Sequence, residues 1–238
     1  MNTNFSKFST KENRQILFLH GYLSCGNSFN YQTRFFEREF EVFAPDLKGF
    51  GENNAMDYAY SLDDYINEVE EYKYKHALNC PHIVAHSFGG RIAIKATAKN
   101  KNFCDRLVLT GCAGIKPKIT LKKACKKTLF NILKPFVRRE KLRNFYSKDY
   151  LALSPVMKES FKKIIGEHLD DYLQDIENET LVIFGKDDKE TPLYMAKRLN
   201  NGIKNSKLSV YKGAGHFCFI DKPCKFNLEV REFLLSKT

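Results

Sequence analysis

Residues 84–91 (VAHSFGGR) constrain the fold more than any other stretch of the chain. A mainly apolar run typical of a buried strand reaches Ser87, two glycines follow, and a helical pattern begins at Arg91. Small residues around a serine let strand and helix approach closely at a sharp turn that exposes the hydroxyl. The helix N-terminus behind it favours negative charge. The pattern therefore predicts a serine nucleophile at a strand-to-helix turn.

A serine nucleophile needs two partners, a histidine that takes its proton and a carboxylate that orients the histidine. Residues 180–184 predict a buried strand that ends in the polar turn 185–192, which contains Asp187 and Asp188. A later predicted strand is followed by a Gly-Ala-Gly turn and His216. Side chains just beyond the carboxyl ends of parallel strands meet at one edge of the sheet. From the residues alone, either aspartate is a candidate for the acid.

Two backbone N–H groups are predicted to bind the oxyanion that forms during the reaction. The N–H of Phe88, the residue after the nucleophile, is the first candidate. Residues 15–19 predict a strand whose following loop supplies the second candidate, the N–H of Tyr22. His20, in the same loop, is expected to hold the loop by hydrogen bonds.

With these motifs in place, the chain resembles the α/β-hydrolase superfamily, in the group of small single-domain serine hydrolases with a helical cap. The resemblance rests on motifs spread through the sequence: His20-Gly21, 46–51 (DLKGFG), 86–90 (HSFGG), 185–188 (GKDD) and 213–217 (GAGHF). It implies an α/β-hydrolase fold, with a mostly parallel sheet of about seven strands flanked by helices. The segment before Ile16 has room for at most one edge strand.

The resemblance also implies which residues react. In this family the acid is the third residue after the glycine of its turn, so the implied triad is Ser87, Asp188 and His216. Ala85 stands where the family pattern has a glycine, and its small side chain is compatible with the turn. The turn at Asp46 is implied to be structural. Related dehalogenases and epoxide hydrolases carry an aspartate at the position of Ser87, which argues against those activities.

Residues 115–168 interrupt the alternation of strands and helices and are expected to form an inserted basic helical cap on a core of residues 1–114 and 169–238. Between Lys116 and Lys148 there are twelve basic residues and one acid, a net of +11 that equals the formal net charge of the chain. This charge favours a solvated helix face, an entrance that steers anionic substrates, or a helix that docks on anionic lipid. Nucleic-acid binding is disfavoured, because no recognised binding module accompanies the charge.

Together, the residues and the resemblance predict a cytoplasmic serine hydrolase that cleaves carboxylic esters or thioesters of small to medium size through an acyl-enzyme. One alternative is C–C bond hydrolysis or a lyase step on an anionic substrate, as in menaquinone-pathway relatives. Another is a non-catalytic ligand-binding protein. Arg91 is a candidate contact for a substrate carboxylate. Phe29, Phe130, Phe136 and Phe145 are candidates for an apolar acyl pocket, although most of them are expected to belong to the core.

No metal or organic cofactor is expected. The chain has seven cysteines, an odd number, and their spacing is not that of a metal site, so they are interpreted as free thiols. The sequence has no signal-peptide pattern and no apolar run of the roughly 20 residues that a membrane span needs. The expected partner is a small-molecule ester or thioester. Membrane contact through the basic cap is not favoured, and the oligomeric state is not predicted.

Overall fold

A parallel sheet carries the site. The structure is a computed structural model that describes residues 14–118 and 148–236. Its described strands are β1 (Gln15–Leu19), β2 (Glu41–Phe43), β3 (His82–His86), β4 (Leu107–Thr110), β5 (Thr180–Gly185) and β6 (Ser206–Tyr211). They lie in the order β2-β1-β3-β4-β5-β6, and each neighbouring pair is parallel. The predicted fold class is confirmed.

The number of strands differs from the prediction of about seven, because the sheet of the described residues has six. Its edge is β2, in which Glu41 pairs with Gln15 of β1. The additional edge strand was expected before Ile16. Of that segment the structure describes only Arg14 and Gln15, and Gln15 already belongs to β1. The expected strand thus falls on residues 1–13, outside the described residues.

Helices lie on both faces of the sheet. Those described are α1 (Asn30–Phe36), α2 (Leu62–Lys75), α3 (Phe88–Lys99), α4 (Lys148–Ala152), α5 (Pro155–Gly166), α6 (Leu193–Gly202), α7 (Cys218–Asp221) and α8 (Pro223–Leu235). Alternate residues of β1 serve the two layers: Leu17 and Leu19 pack in the core with α2, α3 and α6, whereas Ile16 and Phe18 pack with α1 and α8. Burial on both faces explains why the central strands are continuously apolar.

The strand order brings the functional loops together. The chain passes from β1 to β2 on one side and then returns to place β3 on the other, so β1 and β3 flank a switch point. Leu19 and Ala85 are partners at the ends of these strands, and the loops that begin at His20 and Ser87 leave side by side. Ligands of open α/β sheets bind at such crevices.

The described parts of the predicted cap, residues 115–118 and 148–168, contain α4 and α5 and no strand. Helix α5 begins with two local signals, the Ser154 side chain that accepts a hydrogen bond from the Met157 N–H and Pro155 in the first turn. Residues 119–147, which carry most of the basic charge, lie outside the described residues, so the cap boundaries stay a prediction. In the part of the chain that the structure describes, no helix has the length and apolar character to cross a membrane.

Candidate active site

Ser87 lies in the tight turn between β3 and α3, in a backbone conformation that is rare for residues other than glycine. Its φ is 48° and its ψ is −106°. Such conformations cost of order 1–3 kcal/mol and persist only where the surrounding structure fixes them. The Ser87 N–H donates to the carbonyl of Thr110, and the Ser87 carbonyl accepts from the N–H of Ala113, each at 3.1 Å. The strand-to-helix turn is the one that the sequence predicts.

Two glycines make this turn sterically allowed. A Cβ atom on Gly89 would lie 2.2 Å from the carbonyl oxygen of Leu19, and one on Gly90 would lie 2.2 Å from the Sγ of Cys112. The missing side chain of Gly89 lets its N–H donate to the carbonyl of His20 at 3.0 Å. The start of α3 is thereby joined to the loop after β1.

His216 and Asp188 form a hydrogen-bonded pair in the loops that follow β6 and β5. The Nδ1 of His216 lies 2.9 Å from Oδ2 of Asp188. Because an ionised carboxylate only accepts hydrogen bonds, Nδ1 carries the proton and the neutral ring presents a lone pair at Nε2. Asp188 also accepts from the N–H of Glu190 and from the N–H and hydroxyl of Thr191, at 2.7–2.9 Å. These bonds fix the orientation of the histidine.

The structure selects one of the two adjacent aspartates as the partner of His216. Asp187 is exposed, and its backbone N–H donates to the carbonyl of Ala214. Asp188 is 5% exposed. Burial acts to raise the pKa of Asp188, but the hydrogen bonds from His216 and Thr191 outweigh it, so this pKa lies below its ordinary range. Asp188 is therefore ionised at neutral pH.

The two predicted oxyanion donors both border the same cavity as Ser87. Phe88 is the first residue of α3, so its N–H has no partner within the helix. Among the described residues, neither this N–H nor that of Tyr22 makes a hydrogen bond to the backbone. The Tyr22 ring is held edge-on by Phe50 and Phe88, with centroid distances of 4.8 and 5.5 Å. Both N–H groups therefore stay candidates for binding an oxyanion.

The loop that carries Tyr22 is held by His20, as the sequence predicts. The buried His20 ring donates from Nδ1 to the carbonyl of Gly21 at 2.8 Å and accepts at Nε2 from the N–H of Leu47 at 3.0 Å. Burial lowers the pKa of His20, which keeps the ring neutral. Asp46 is likewise structural, since its carboxylate accepts from the N–H of Gly26 at 2.7 Å.

Ser87 and His216 line a single cavity of 310 Å³ beneath the cap. Its apolar wall from the cap consists of Leu153, Phe161, Ile164 and Ile165. Sequence reasoning did not identify these residues. Phe29 was a candidate for the pocket, but it belongs to the core: its fully buried ring stacks on Phe219, with 4.7 Å between ring centroids. The three others, Phe130, Phe136 and Phe145, lie outside the described residues.

Arg91 borders the cavity but is engaged by the cap. Its buried guanidinium donates from Nη1 to the carbonyls of Ile164 and Glu167, at 2.9 and 2.8 Å. Ile164 lies in the last turn of α5 and Glu167 directly follows the helix; the carbonyl of Ile164 also accepts from the N–H of Glu167, at 3.4 Å. Burial lowers the pKa of Arg91, although arginine stays charged at neutral pH. The geometry shows that Arg91 anchors the cap helix, and a contact with substrate stays a prediction.

His86 packs beside His216. Its ring is 1% exposed and lies 4.7 Å from the His216 ring between centroids. Nε2 of His86 donates to the backbone carbonyl of His216 at 3.2 Å, and burial lowers the pKa of His86 to about 3. A neutral His86 therefore supports the loop that carries His216.

Glu190 and Thr191 were missed by sequence reasoning, although both lie in the polar turn 185–192 that identified Asp188. Thr191 donates its hydroxyl to Asp188 at 2.7 Å, and Oε2 of Glu190 lies 3.4 Å from Nε2 of His216. The signal was present as an Asp followed three residues later by Thr, a spacing that suits side-chain to backbone hydrogen bonds. Within the described ranges, no group of His, Cys, Asp and Glu side chains is arranged to hold a metal ion.

The parallel sheet, the serine at the turn after β3 and the helices above it define an α/β hydrolase. The chain belongs to the family whose model is described as Hydrolase_4, serine aminopeptidase, S33, which matches residues 10–223. The resemblance that the sequence motifs indicate is thereby confirmed.

Named relatives support the same class. The chain is 28% identical to the AB hydrolase superfamily protein YisY of Bacillus subtilis (strain 168), covering 92% of this chain and 91% of that protein. It is 26% identical to the 2-hydroxymuconate semialdehyde hydrolase of Pseudomonas putida, covering 90% and 82%. The fold is similar to that of an esterase from Exiguobacterium antarcticum, with a TM-score of 0.74, 23% identity and coverage of 94% and 92%.

Proposed function

We propose that the protein is a serine hydrolase that cleaves carboxylic esters or thioesters of small to medium size through an acyl-enzyme. The observation that carries the proposal is the pairing of His216 with Asp188 at 2.9 Å in the cavity that Ser87 also lines. A serine with a positive φ at a helix N-terminus, beside an oriented neutral histidine, is the arrangement that acyl transfer needs.

The proposed reaction follows from the arrangement of proton donors and acceptors. Ser87 Oγ attacks the substrate carbonyl carbon while Nε2 of His216 takes its proton. Asp188 holds the tautomer and stabilises the imidazolium. The N–H groups of Tyr22 and Phe88 bind the oxyanion, at roughly 3 kcal/mol per donor in comparable sites. Nε2 then protonates the leaving group, and water releases the acid from the acyl-enzyme by the same steps.

The size and lining of the cavity support a compact, apolar acyl group. Its 310 Å³ lies at the lower end of the roughly 300–1,000 Å³ typical of small-molecule sites. The cap contributes apolar side chains such as Leu153 and Ile164, which suit an alkyl or aryl acyl chain.

Free thiols at the six described cysteines support the proposed cytoplasmic location.

C–C bond hydrolysis on an anionic substrate is the second candidate. It is favoured by the likeness to the 2-hydroxymuconate semialdehyde hydrolase of Pseudomonas putida, whose named substrate is a carboxylate. Among the described residues, Arg91 is the cation that such a substrate would meet in the cavity. However, its Nη1 already serves two cap carbonyls, and the carboxylate of Glu190 also lines the cavity. These two observations favour a neutral ester over an anionic substrate.

A substrate panel tests the proposal. Wild type and Ser87→Ala would be assayed on p-nitrophenyl esters from acetate to octanoate, on matching thioesters, and on 2-hydroxymuconate semialdehyde. We expect ester or thioester turnover that peaks at short to medium chains and is lost in Ser87→Ala. Turnover of 2-hydroxymuconate semialdehyde alone would replace the proposal with the C–C candidate. No turnover by folded protein would favour a ligand-binding role.

The basic segment receives a separate test with the best ester. If it steers anionic substrates, KM for an anionic ester rises steeply with salt while kcat stays constant, because screening weakens long-range attraction. The matching neutral ester is the control. An unchanged KM from low to high salt would exclude steering and leave the solvated face or a lipid contact.

A further inference from the structure

A second carboxylate approaches the catalytic histidine from the side opposite Asp188. Nδ1 of His216 faces Asp188 at 2.9 Å, whereas Nε2 lies 3.4 Å from Oε2 of Glu190. The triad requires only the first of these contacts. Glu190 therefore carries a negative charge next to the atom that exchanges protons during the reaction.

The position of Glu190 is set by the same turn that fixes the triad acid. Its backbone N–H donates to Oδ1 of Asp188 at 2.8 Å, so its main chain cannot move without disturbing the aspartate. Its side chain lines the catalytic cavity together with Ser87 and His216. The backbone of Glu190 is thus fixed beside the cavity, and its side chain extends from there to Nε2 of His216.

The Glu190 carboxylate lies on the side of the site from which the leaving group of the ester departs. Nε2 of His216 must come within hydrogen-bond reach, about 3 Å, of the leaving-group oxygen in order to protonate it. Because Glu190 lies 3.4 Å from the same nitrogen, the leaving group departs within roughly 7 Å of its carboxylate. A charge on the leaving group would therefore interact with the Glu190 carboxylate at short range.

In the part of the chain that the structure describes, no basic side chain lies close enough to the Glu190 carboxylate to neutralise it. There the imidazole of His216 is the titratable group closest to its carboxylate, and no lysine or arginine approaches that carboxylate within 4.0 Å. Of the described residues in the cavity wall, the other charged one is Arg91, whose Nη1 donates to the carbonyls of Ile164 and Glu167. The Glu190 side chain is 69% exposed, so solvent moderates its field without removing it.

We propose that Glu190 is a specificity-determining residue, which favours esters with a positively charged leaving group and disfavours those with a negatively charged one. This inference rests on the proposed esterase function. At separations of 5–7 Å, in a medium between protein surface and water, one unit charge changes kcat/KM by about fivefold, or about 1 kcal/mol. A charge on the acyl group would lie farther from Glu190, so it would change kcat/KM less.

The test compares three esters of one acyl group. Butyryl esters of choline, of its neutral isostere 3,3-dimethylbutanol and of 3-hydroxypropanesulfonate supply a cationic, a neutral and an anionic leaving group. In Glu190→Gln we expect the choline-to-neutral ratio of kcat/KM to fall about fivefold and the sulfonate-to-neutral ratio to rise about fivefold. Any uniform field from the basic segment cancels when these ratios are compared between wild type and variant.

Two further variants make the result specific. Glu232→Gln removes an equal charge from an exposed position on α8 and should leave both ratios unchanged. Glu190→Asp retracts the carboxylate by one methylene and should give intermediate ratios, which a merely structural role would not produce. Ratios in Glu190→Gln equal to wild type, with the neutral ester still hydrolysed, would overturn this inference alone. No hydrolysis of the neutral ester by folded wild type would overturn the proposed function and this inference with it.

Discussion

Replacing Asp188 by asparagine separates the orientation of His216 from the fold of the loop. Oδ1 of Asp188 accepts two backbone N–H groups, at 2.8 and 2.9 Å, and Oδ2 accepts the Thr191 hydroxyl at 2.7 Å and His216 Nδ1 at 2.9 Å. In Asp188→Asn the amide oxygen stays on the two backbone donors, because an NH₂ group cannot accept from them. The NH₂ group must then face Nδ1 of His216.

The consequence is the wrong histidine tautomer. Nδ1 of His216 would accept from the new amide, its proton would move to Nε2, and Nε2 could no longer take the proton of Ser87. The corresponding change in another triad costs roughly 10⁴-fold in kcat, or about 5 kcal/mol of barrier. We expect a loss of that order for Asp188→Asn. Since two of four hydrogen bonds persist, the free energy of unfolding should fall by only about 1–2 kcal/mol.

The assay is kcat on the best ester of the panel, with urea unfolding to verify the fold. Asp187→Asn is the matched control, because Asp187 is exposed and its backbone N–H bond to Ala214 survives the change. It should retain activity within about twofold of wild type. The stability difference between wild type and Asp188→Asn should shrink as the pH falls through the lowered pKa of Asp188, because the native charge is then lost. Equal losses in the two variants, or a nearly active Asp188→Asn, would refute the reasoning.

Three further predictions concern the frame of the site, each measured by urea unfolding. Arg91→Met should lower the free energy of unfolding by about 1–3 kcal/mol, because the carbonyls of Ile164 and Glu167 lose the guanidinium donor that joins the cap helix to α3. Burial raises the pKa of Glu68 to about 7 from 4.5, so wild-type stability should fall as the pH rises across that interval. In Glu68→Gln that fall should shrink by about 1–2 kcal/mol, after allowance for partial exposure. Gly90→Ala should cost about 2–3 kcal/mol through its contact with Cys112, and Cys112→Ala should recover part of the loss.

Each of these has its own contradicting result. Arg91→Met with wild-type stability would mean that the cap is not anchored through the guanidinium. A pH dependence unchanged in Glu68→Gln would mean that its carboxyl is solvated in the folded protein. Strict additivity of the Gly90 and Cys112 changes would mean that the two positions do not compete for space.

The central strands were predictable because burial on both faces leaves an apolar run without alternation. Residues 15–19 and 180–184 are examples, and the observed strands differ from them by one residue at most. The edge strand β2 (Glu41–Phe43) had no such signal, since three partly exposed residues carry no period and depend on pairing with β1. Tertiary contact rather than local sequence defines it.

For the candidate site, sequence order predicted which residues lie together, while side-chain packing determines what surrounds them. Ser87 and His216 could be found because strand, turn and glycine signals surround each of them. The roles of Glu190 and Arg91 could not, because they depend on where long side chains reach in three dimensions. The cap residue Phe161 was equally hidden, since helical spacing does not distinguish a side chain facing a cavity from one facing the core.

The central claim is that Ser87 is an activated nucleophile, and covalent labelling with a fluorophosphonate tests it without knowledge of the substrate. Wild type and Ser87→Ala would be treated at neutral pH and compared by intact mass. The account predicts one adduct on wild type, mapped to the peptide that contains Ser87, and none on the variant. Folded wild type that stays unlabelled, or a variant that is labelled equally, would contradict it.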